Sequence, residues 1–418
     1  MKCVAIFMIK WFGDAFFLSY RDTAIGEMKK MLAEKSNRLR NLPFYFYSQV
    51  RETIGLSDAS LELIDLSTGD PTFSTSGDIL HALGIAAENP KTHHYNDIKG
   101  SLEFRSGIAR WLRKRFQVDM DCNSEILAFT GSKEGITLSF LGLTDPGDTV
   151  LIPDPGYPTY DQAAAMAGAS RFYFRLTPEN GYLPDFTAIP ETVAKAARVM
   201  FLNYPNNPTA ATVERDFFNK AVDFAKAYEI IICHDAAYSE ITFDGYQAPS
   251  LLEAKYAKDL GVEFHSLSKT FCMTGWRVGF AAGNKDLINT LYEAKRVYSS
   301  GQFAAIEKAA LYALENCGEQ VEYRKRVYQE RRDYVMRQLA ELGLSLEPPK
   351  GSFYVWIPIP NKKKSMEFVK ELILKARVVV FPGIGYGESG EGYIRIALTQ
   401  DIQIIKEAFQ RIGSFLLA

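Results

Sequence analysis

From about residue 125 onward, short apolar runs alternate with amphipathic stretches, and this alternation constrains the fold more than any other feature of the sequence. Each run closes on Gly, Pro, Asn or Asp, as in EILAFT, TVLIPDPGY, RVMFLNYPNNP, EIIICHDAAY and VEFHSLS. Buried parallel strands have this appearance because helices cover both of their faces. The sequence therefore predicts an α/β fold with a mostly parallel sheet flanked by helices.

The C-terminal part of the chain has a different pattern. Residues 284–344 are long-helical with a break near YSSGQF, and the charged segment EYRKRVYQERRDYVMRQLAELG predicts a solvated helix face. Further on, GSFYVWIPI, RVVVFPG and GYIRIAL resemble strands, with a helix at 365–376 and another at the end of the chain.

A length of 418 residues is too great for one ordinary core. We expect a large domain over residues 66–303 and a smaller α+β domain over residues 304–418. Residues 1–65 would supply an N-terminal arm and part of the small domain.

Composition excludes several classes of protein. The net charge is −2, from 48 basic and 50 acidic residues, so a nucleic-acid partner is not expected. The apolar run near the N-terminus is interrupted by Lys10 and Asp14, and no run reaches the roughly 20 apolar residues of a membrane-spanning helix. We therefore expect an arm lying on the protein, or an overlong start, rather than a targeting segment.

Cysteine and histidine spacing points away from disulfides and metals. Five cysteines without a CxxC pair do not form a disulfide framework, which favours a reducing cytoplasm. The five histidines show neither HExxH nor a Cys/His ligand spacing, so we expect no metal site.

Polar residues punctuate the predicted strands at their carboxyl ends, where parallel sheets bind ligands. The residues at these ends are Gly131, Ser132, Tyr157, Asn203, Asn207, Asp235, Tyr238 and 266–269.

The segment HSLSKTFCMTGWRVGF places Lys269 between small hydroxyl residues and Arg277 eight positions later, next to Trp276. A surface lysine needs no such setting. A lysine that bonds covalently to a carbonyl group does need one. With an ordinary pKa of about 10.4, its amine is mostly protonated at neutral pH and therefore not nucleophilic.

The order and spacing of these motifs resemble those of the fold-type I aminotransferases, the aspartate aminotransferase superfamily, over residues 65–400. Within that superfamily, GSKEGI, DPGYPTY, ENGYLPDFTAIP, FLNYPNNPT, HDAAYSEITFDGY and VEFHSLSKTF are most similar to the LL-diaminopimelate aminotransferase branch. The resemblance implies a large domain with a seven-stranded sheet, bound pyridoxal 5′-phosphate, and a homodimer with shared active sites.

The resemblance also implies roles for individual residues. Lys269 would form the covalent bond to the cofactor and later move a proton, and Asp235 would pair with the pyridine nitrogen. Arg277 and Ser266 would hold the phosphate. Gly131, Ser132 and Lys133, which open the helix predicted after EILAFT, would assist them through their backbone N–H groups. Turn capping by Asp235, helix capping by Ser132 and a structural ion pair of Arg277 are the alternatives.

Further residues of the family pattern surround the ring. Tyr238 and Asn207 match residues that hydrogen-bond the cofactor's 3′-oxygen. Ala210 stands where the family commonly has glycine, which affects the expected turn. Tyr157 would stack on the ring, with a ligand-free buried tyrosine as the alternative. Tyr95, in HHYNDIKG, would reach the phosphate from the neighbouring subunit.

Two residues match the substrate site of the family. Arg395, in GYIRIAL, would clamp the substrate α-carboxylate, and Gly69 would donate a backbone N–H nearby. A solvent-facing arginine on an alternating strand is the alternative.

The expected activity is ping-pong transfer of an amino group between an L-amino acid and a 2-oxo acid. The branch resemblance favours LL-diaminopimelate with 2-oxoglutarate, and hence lysine biosynthesis. Aspartate, alanine or aromatic substrates, a β-lyase reaction of the same fold, and a non-catalytic cofactor-binding sensor remain alternatives. Decarboxylation is disfavoured because Arg395 suits substrates that keep their carboxylate.

The segment GYGESG, residues 385–390, satisfies the GxGxxG pattern of dinucleotide-binding proteins. That pattern requires a helix immediately afterwards, whereas a strand-like run follows here. An NAD-linked oxidoreductase is therefore the weakest alternative.

Overall fold

The computed structural model describes residues 47–57 and 60–417, which belong to one compact unit, Pro43–Ala418. Most of the expected N-terminal arm, residues 1–46, lies outside the described residues. The boundaries at 65/66 and 303/304 remain predictions.

Twelve strands are formed in the described part of the chain. They are β1 (Ile64–Asp65), β2 (Ile126–Phe129), β3 (Thr149–Asp154), β4 (Ser170–Arg175), β5 (Ala197–Asn203), β6 (Ile231–Asp235), β7 (Gly261–Ser266), β8 (Gly279–Gly283), β9 (Tyr354–Pro358), β10 (Val378–Val379), β11 (Phe381–Pro382) and β12 (Tyr393–Ala397).

The helices of the same residues are α1 (Tyr47–Leu56), α2 (Gly77–Glu88), α3 (Leu102–Phe116), α4 (Ser132–Leu143), α5 (Pro158–Ala167), α6 (Glu191–Ala196), α7 (Arg215–Ala227), α8 (Ala257–Leu260), α9 (Leu267–Thr270), α10 (Lys285–Tyr298), α11 (Ala304–Asn316), α12 (Gly318–Glu341), α13 (Ser365–Ala376) and α14 (Ile402–Leu417). Within the described ranges, none of them has the length and apolar character that crossing a bilayer requires.

Seven strands form the main sheet, in the order β2-β8-β7-β6-β5-β3-β4. β8 runs antiparallel to both of its neighbours, and every other pairing is parallel. The strands β2, β5, β6 and β7 are almost wholly buried. The predicted mostly parallel, helix-flanked sheet is confirmed.

The sequence pattern did not reveal β4 and β8. β4 is an edge strand with mostly exposed side chains, and β8 has the sequence GFAAG. The glycine at the start of β8 allows close packing, because a Cβ at Gly279 would lie 2.6 Å from the Ser132 nitrogen and 2.7 Å from the His265 oxygen. Neither strand therefore carries an apolar run of the predicted kind.

A second, smaller group of strands lies near the chain's end. β9, β12 and β11 form an antiparallel sheet, and β1 pairs in parallel with β10 through Ile64 and Val378. Through the β1–β10 pair, Ile64 and Asp65 join the C-terminal part of the chain.

The predicted solvated helix face does not account for three arginines of the charged segment on α12, Arg324, Arg331 and Arg332, which are buried. Arg331 donates to the Leu398 and Thr399 carbonyl oxygens, each at 3.0 Å. Backbone carbonyl oxygens accept part of the hydrogen bonds of these guanidinium groups, which lowers the cost of burying them, and a charge pattern does not reveal such acceptors.

Candidate active site

A cavity of about 380 Å³ lies at the carboxyl ends of the central strands. Eleven of the predicted site residues line it: Gly69, Ser132, Lys133, Tyr157, Asn207, Asp235, Tyr238, Ser266, Lys269, Arg277 and Arg395. Of the other two, Gly131 contacts a cavity residue, and Tyr95 does not line the cavity.

Lys269 sits on the single-turn helix α9, directly after β7. Its ammonium nitrogen Nζ donates to the Gly69 carbonyl oxygen at 2.5 Å. Burial lowers the pKa of Lys269, because removal from water penalises the ammonium form. The side chain is thus held inside the cavity with a larger neutral fraction than an exposed lysine would have.

Asp235 ends β6 with its carboxylate buried in the cavity wall. Oδ2 accepts from the Tyr160 hydroxyl at 2.8 Å, and Oδ1 accepts from the Ala237 N–H at 3.2 Å. Burial raises the pKa of this carboxyl, and the Tyr160 hydrogen bond counters part of that rise. Both of these donors are neutral, so the site suits a cationic ligand group.

An anion cradle is formed where α4 begins. Gly131 has φ +82°, and a Cβ built there would clash with the Arg277 guanidinium, so the backbone and Arg277 approach closely. Arg277 Nη1 donates to the Thr274 oxygen at 2.8 Å, which aims the guanidinium. Ser132 starts the twelve-residue helix α4 here, with its N–H dipoles at the same place.

Ser266 caps α9, its Oγ accepting from the Ser268 N–H at 3.3 Å. It lines the cavity together with Ser132 and Arg277. A helix N-terminus, a guanidinium and hydroxyl groups around a glycine that lets Arg277 approach closely fit a phosphate group.

A hydroxyl and amide cluster lies between this cradle and β12. The Tyr238 hydroxyl is 2.9 Å from the Tyr354 hydroxyl. The Asn207 side-chain oxygen accepts from Arg395 Nη1 at 2.7 Å, and the Asn207 N–H donates to Asn203 Oδ1 at 2.7 Å.

Arg395 is only 4% exposed, so the solvent-facing alternative is wrong. Besides its bond to Asn207, its Nη2 donates to the Ser67 carbonyl oxygen at 2.5 Å. The guanidinium carbon lies 3.9 Å from the centre of the Tyr354 ring. β12 therefore delivers a fixed cation to the cavity wall, suited to a carboxylate.

Tyr157 is half-buried at the start of α5, and its ring meets Tyr160 edge-on at 5.6 Å. It lines the cavity beside Asp235, as the stacking role requires. Ala210 adopts the left-handed φ of +60° although it is not a glycine. Its N–H donates to the Asn206 oxygen at 3.0 Å, so the turn beside Asn207 forms.

Tyr95 lies outside the cavity, 93% exposed. The loop that follows it is firmly held: the buried Lys295 Nζ donates to the Ile98 oxygen at 2.5 Å, and the Ser101 N–H donates to Glu307 Oε2 at 2.8 Å. An anchored loop thus presents a large aromatic side chain to the outside.

Among the residues that sequence reasoning missed are Tyr160, which bonds Asp235, and Tyr354, which lines the cavity. Tyr160 stands in the quoted motif DPGYPTY, and its position one helical turn after Tyr157 could have suggested a role. Tyr354 lies in GSFYVWIPI, where nothing distinguishes it from its strand neighbours.

The segment GYGESG forms two single-turn 3-10 helices and then β12, so it lacks the helix of a dinucleotide site. The segment packs against the end of β3, and its residues Gly385 and Tyr386 line the cavity. Asp154 accepts from the Ser389 N–H at 3.1 Å and the Ser389 hydroxyl at 2.9 Å, and a Cβ at Gly387 would clash with that carboxylate.

No group of three or more His, Cys, Asp or Glu side chains in residues 47–57 and 60–417 is arranged to hold a metal ion.

Comparison with known proteins places these features in context. Residues 62–412 match the family model for aminotransferase class I and II. The LL-diaminopimelate aminotransferases of Moorella thermoacetica and Aquifex aeolicus are each 44% identical to this chain, over 91% and 92% of it and over 97% and 100% of their own lengths. A substrate-bound BacF structure from Bacillus subtilis has a TM-score of 0.88 at 37% identity, covering 91% of this chain and 98% of that chain.

Proposed function

We propose, on the premise that the chain belongs to the aminotransferases of class I and II, that it transfers the amino group of LL-diaminopimelate to a 2-oxo acid, with 2-oxoglutarate as the acceptor. That the protein is a pyridoxal phosphate-dependent transaminase follows from its family and its relatives. The choice of donor is supported by relatives of that name at 43–45% identity over nine-tenths of the chain.

The observation that carries the residue assignment is the single cavity that holds Lys269, Asp235, Arg277 and Arg395. It combines a partly neutral amine, a buried carboxylate, an anion cradle and a second fixed cation. These are the groups needed to bind the cofactor at three points and the substrate carboxylate at a fourth.

In this proposal Arg277, Ser266 and the N-terminus of α4 hold the phosphate, and Asp235 holds the pyridine nitrogen in its protonated form. The Asp235 carboxylate, whose ionised form burial disfavours, would be stabilised in that form by a protonated ring nitrogen as its cationic partner. When bound, the cofactor accepts the electron pair left as the substrate Cα–H bond breaks.

Lys269 is the proposed nucleophile and proton carrier. Its lowered pKa would supply neutral amine for attack on a carbonyl, and the same amine would be placed to take up a proton from the substrate Cα and give it back. Gly69, whose carbonyl holds the ammonium at 2.5 Å, keeps the side chain in the cavity when it is protonated.

Arg395 is the proposed clamp for the substrate α-carboxylate. Asn207 and the Ser67 carbonyl hold its guanidinium from two directions, so it is oriented before substrate arrives. A fixed carboxylate sets the Cα–H bond in one orientation, which favours proton transfer over loss of carbon dioxide.

A homodimer with shared sites is part of the proposal. Tyr95, Val297 and Tyr298 are 93%, 86% and 70% exposed. They border one loop region, since Gly301 approaches the Asn96 and Asp97 carbonyls and Phe303 contacts His93. An exposed aromatic patch on anchored loops suits a second copy of the chain. A cytoplasmic location, expected from the cysteine pattern, stays a prediction.

The test is a donor panel read as single half-reactions, with cofactor absorbance followed after addition of LL-diaminopimelate, aspartate, alanine or phenylalanine without acceptor. LL-diaminopimelate should react with a kcat/KM about 100-fold or more above the others, because recognising a polar distal group discriminates strongly. A faster reaction with any of the other three would refute the donor assignment and leave the transaminase class intact.

A further inference from the structure

Tyr354, on β9, contacts two parts of the cavity that have different proposed tasks. Its hydroxyl lies 2.9 Å from the Tyr238 hydroxyl, and the centre of its ring lies 3.9 Å from the guanidinium carbon of Arg395. We propose that Tyr354 couples the cofactor side of the site to the carboxylate clamp: its hydroxyl sets the direction of the Tyr238 proton, and its ring holds Arg395.

The contact with Arg395 is fixed by strand register. β9 and β12 pair so that Trp356 stands opposite Arg395. Tyr354 is two residues before Trp356 and therefore projects from the same face, as a diagonal neighbour of Arg395. Any change that kept this register would keep the two side chains together.

The ring holds the guanidinium without occupying its hydrogen-bonding directions. A cation over an aromatic face is attracted by the ring, and its N–H groups still point outward in their own plane. Two of these N–H groups donate to Asn207 and Ser67. The Tyr354 ring thus limits movement of the Arg395 guanidinium perpendicular to its plane, and the hydrogen bonds limit movement within the plane.

The hydroxyl argument rests on proton counting. A tyrosine hydroxyl has one proton to donate. If Tyr238 donates its proton to the cofactor's 3′-oxygen, the 2.9 Å bond between the two hydroxyls must run from Tyr354 to Tyr238. A donor that itself accepts a hydrogen bond is strengthened, so Tyr354 makes Tyr238 a better donor.

The position of this hydroxyl is closely packed. A Cβ at Gly69 would clash with it, and the Phe353 and Tyr238 rings meet the Tyr354 ring edge-on at 4.9 Å and 5.4 Å. Gly69 also accepts the hydrogen bond of Lys269 Nζ. The glycine therefore permits the reactive lysine and the Tyr354 hydroxyl to share one corner of the cavity.

The inference rests on the proposed role of Tyr238, so the experiment separates the two. Holoenzymes with Tyr354→Phe, Tyr238→Phe and, as the matched control, Tyr246→Phe would be titrated with pH while the cofactor's visible absorbance is recorded without substrate. Tyr246 is half-buried, and its hydroxyl donates to the Val213 oxygen at 2.6 Å, away from the cavity.

A donor to the 3′-oxygen draws electron density from the neighbouring nitrogen that carries the titrating proton. Weakening that donor raises the pH of the absorbance midpoint. We expect the largest rise for Tyr238→Phe, a rise of about 0.5 pH unit for Tyr354→Phe, equivalent to about 3-fold, and no change for Tyr246→Phe.

A shifted Tyr238→Phe midpoint with an unshifted Tyr354→Phe midpoint would overturn the hydroxyl part of the inference alone. An unshifted Tyr238→Phe midpoint would overturn the role of Tyr238 and, with it, the inference.

The ring part has its own measurement. Succinate, an unreactive dicarboxylate, would be titrated into each holoenzyme by calorimetry. Tyr354→Phe keeps the ring and should bind succinate within about 2-fold of the unsubstituted protein, whereas Tyr354→Leu should bind it about 10-fold more weakly. Equal affinity of the two variants would overturn the ring part, and Tyr354→Phe decides the hydroxyl part even where Tyr354→Leu fails to fold.

Discussion

The Arg395 guanidinium donates to the Asn207 side-chain oxygen at 2.7 Å, which joins the proposed substrate clamp directly to a residue of the proposed cofactor shell. Asn207 is itself held through its N–H by Asn203, whose side chain also donates to the Asp235 carbonyl oxygen at 2.7 Å. One chain of hydrogen bonds thus runs from β12 to the end of β6, so the distance between substrate and cofactor sites is set by the fold.

Arg395→Lys tests the clamp. Lysine keeps the charge but loses the planar fork, so KM for the amino donor should rise by about 10- to 100-fold with a smaller change in kcat. Steady-state kinetics with varied donor measures this. An unchanged KM would contradict the carboxylate role.

Asp235→Asn tests the ring partner. A neutral amide cannot keep the pyridine nitrogen protonated, so kcat should fall by roughly 100-fold or more while the cofactor remains bound through its phosphate. Tyr160→Phe removes only the 2.8 Å bond to this carboxylate and should cost about 3- to 10-fold. If Asp235→Asn retained normal turnover, the ring partner would have to be another residue.

Gly131→Ala tests the phosphate cradle. The new Cβ would clash with Arg277, and we expect at least about 10-fold weaker binding of pyridoxal phosphate to the apoenzyme, together with lower stability. Gly147→Ala is the control, because Gly147 has φ +100° with no atom near a built Cβ. It should lose about 1 kcal/mol of stability from backbone strain and keep its cofactor affinity. Equal affinities of the two variants would contradict the cradle.

Mixing Lys269→Ala with Tyr95→Ala subunits tests the shared site. In a mixed dimer, one site would combine an intact Lys269 from one subunit with an intact Tyr95 from the other. An equal mixture, unfolded and refolded together, should recover about a quarter of wild-type activity, above the sum of the separate variants. No recovery above that sum would place Tyr95 outside the partner's site.

The lowered pKa of Lys269 predicts a pH dependence for cofactor capture by the apoenzyme. Only the neutral amine attacks the aldehyde, so the rate should rise with pH and reach its half-maximum below the pKa of about 10.4 of an ordinary lysine. Stopped-flow absorbance gives this profile. A midpoint at or above the ordinary value would contradict a desolvated Lys269.

Much of the site could be predicted because its residues follow strands that have strong apolar runs. Asp235 and Ser266 end β6 and β7, and the parallel pairing of these strands brings the two ends together. The pattern therefore located both the fold and this part of the cavity.

Other contacts depend on long-range geometry that no local pattern encodes. Tyr354 reaches Tyr238 across 116 positions of sequence, and the register of β9 with β12 places it diagonally opposite Arg395. The buried Arg331 cannot be told by residue type from the exposed charged residues of α12, yet the Leu398 and Thr399 carbonyls lie opposite it and accept its hydrogen bonds. Strand β8 was not predicted because close packing at Gly279 and Gly283 leaves no room for the side chains of an apolar run.

The most direct test of the account is to fix the cofactor to the protein by borohydride reduction of the holoenzyme, followed by peptide mass spectrometry. The account predicts one pyridoxyl phosphate group per chain, on the peptide that contains Lys269, and none on Lys269→Ala protein. Attachment at a different lysine, or equal labelling of the variant, would contradict it.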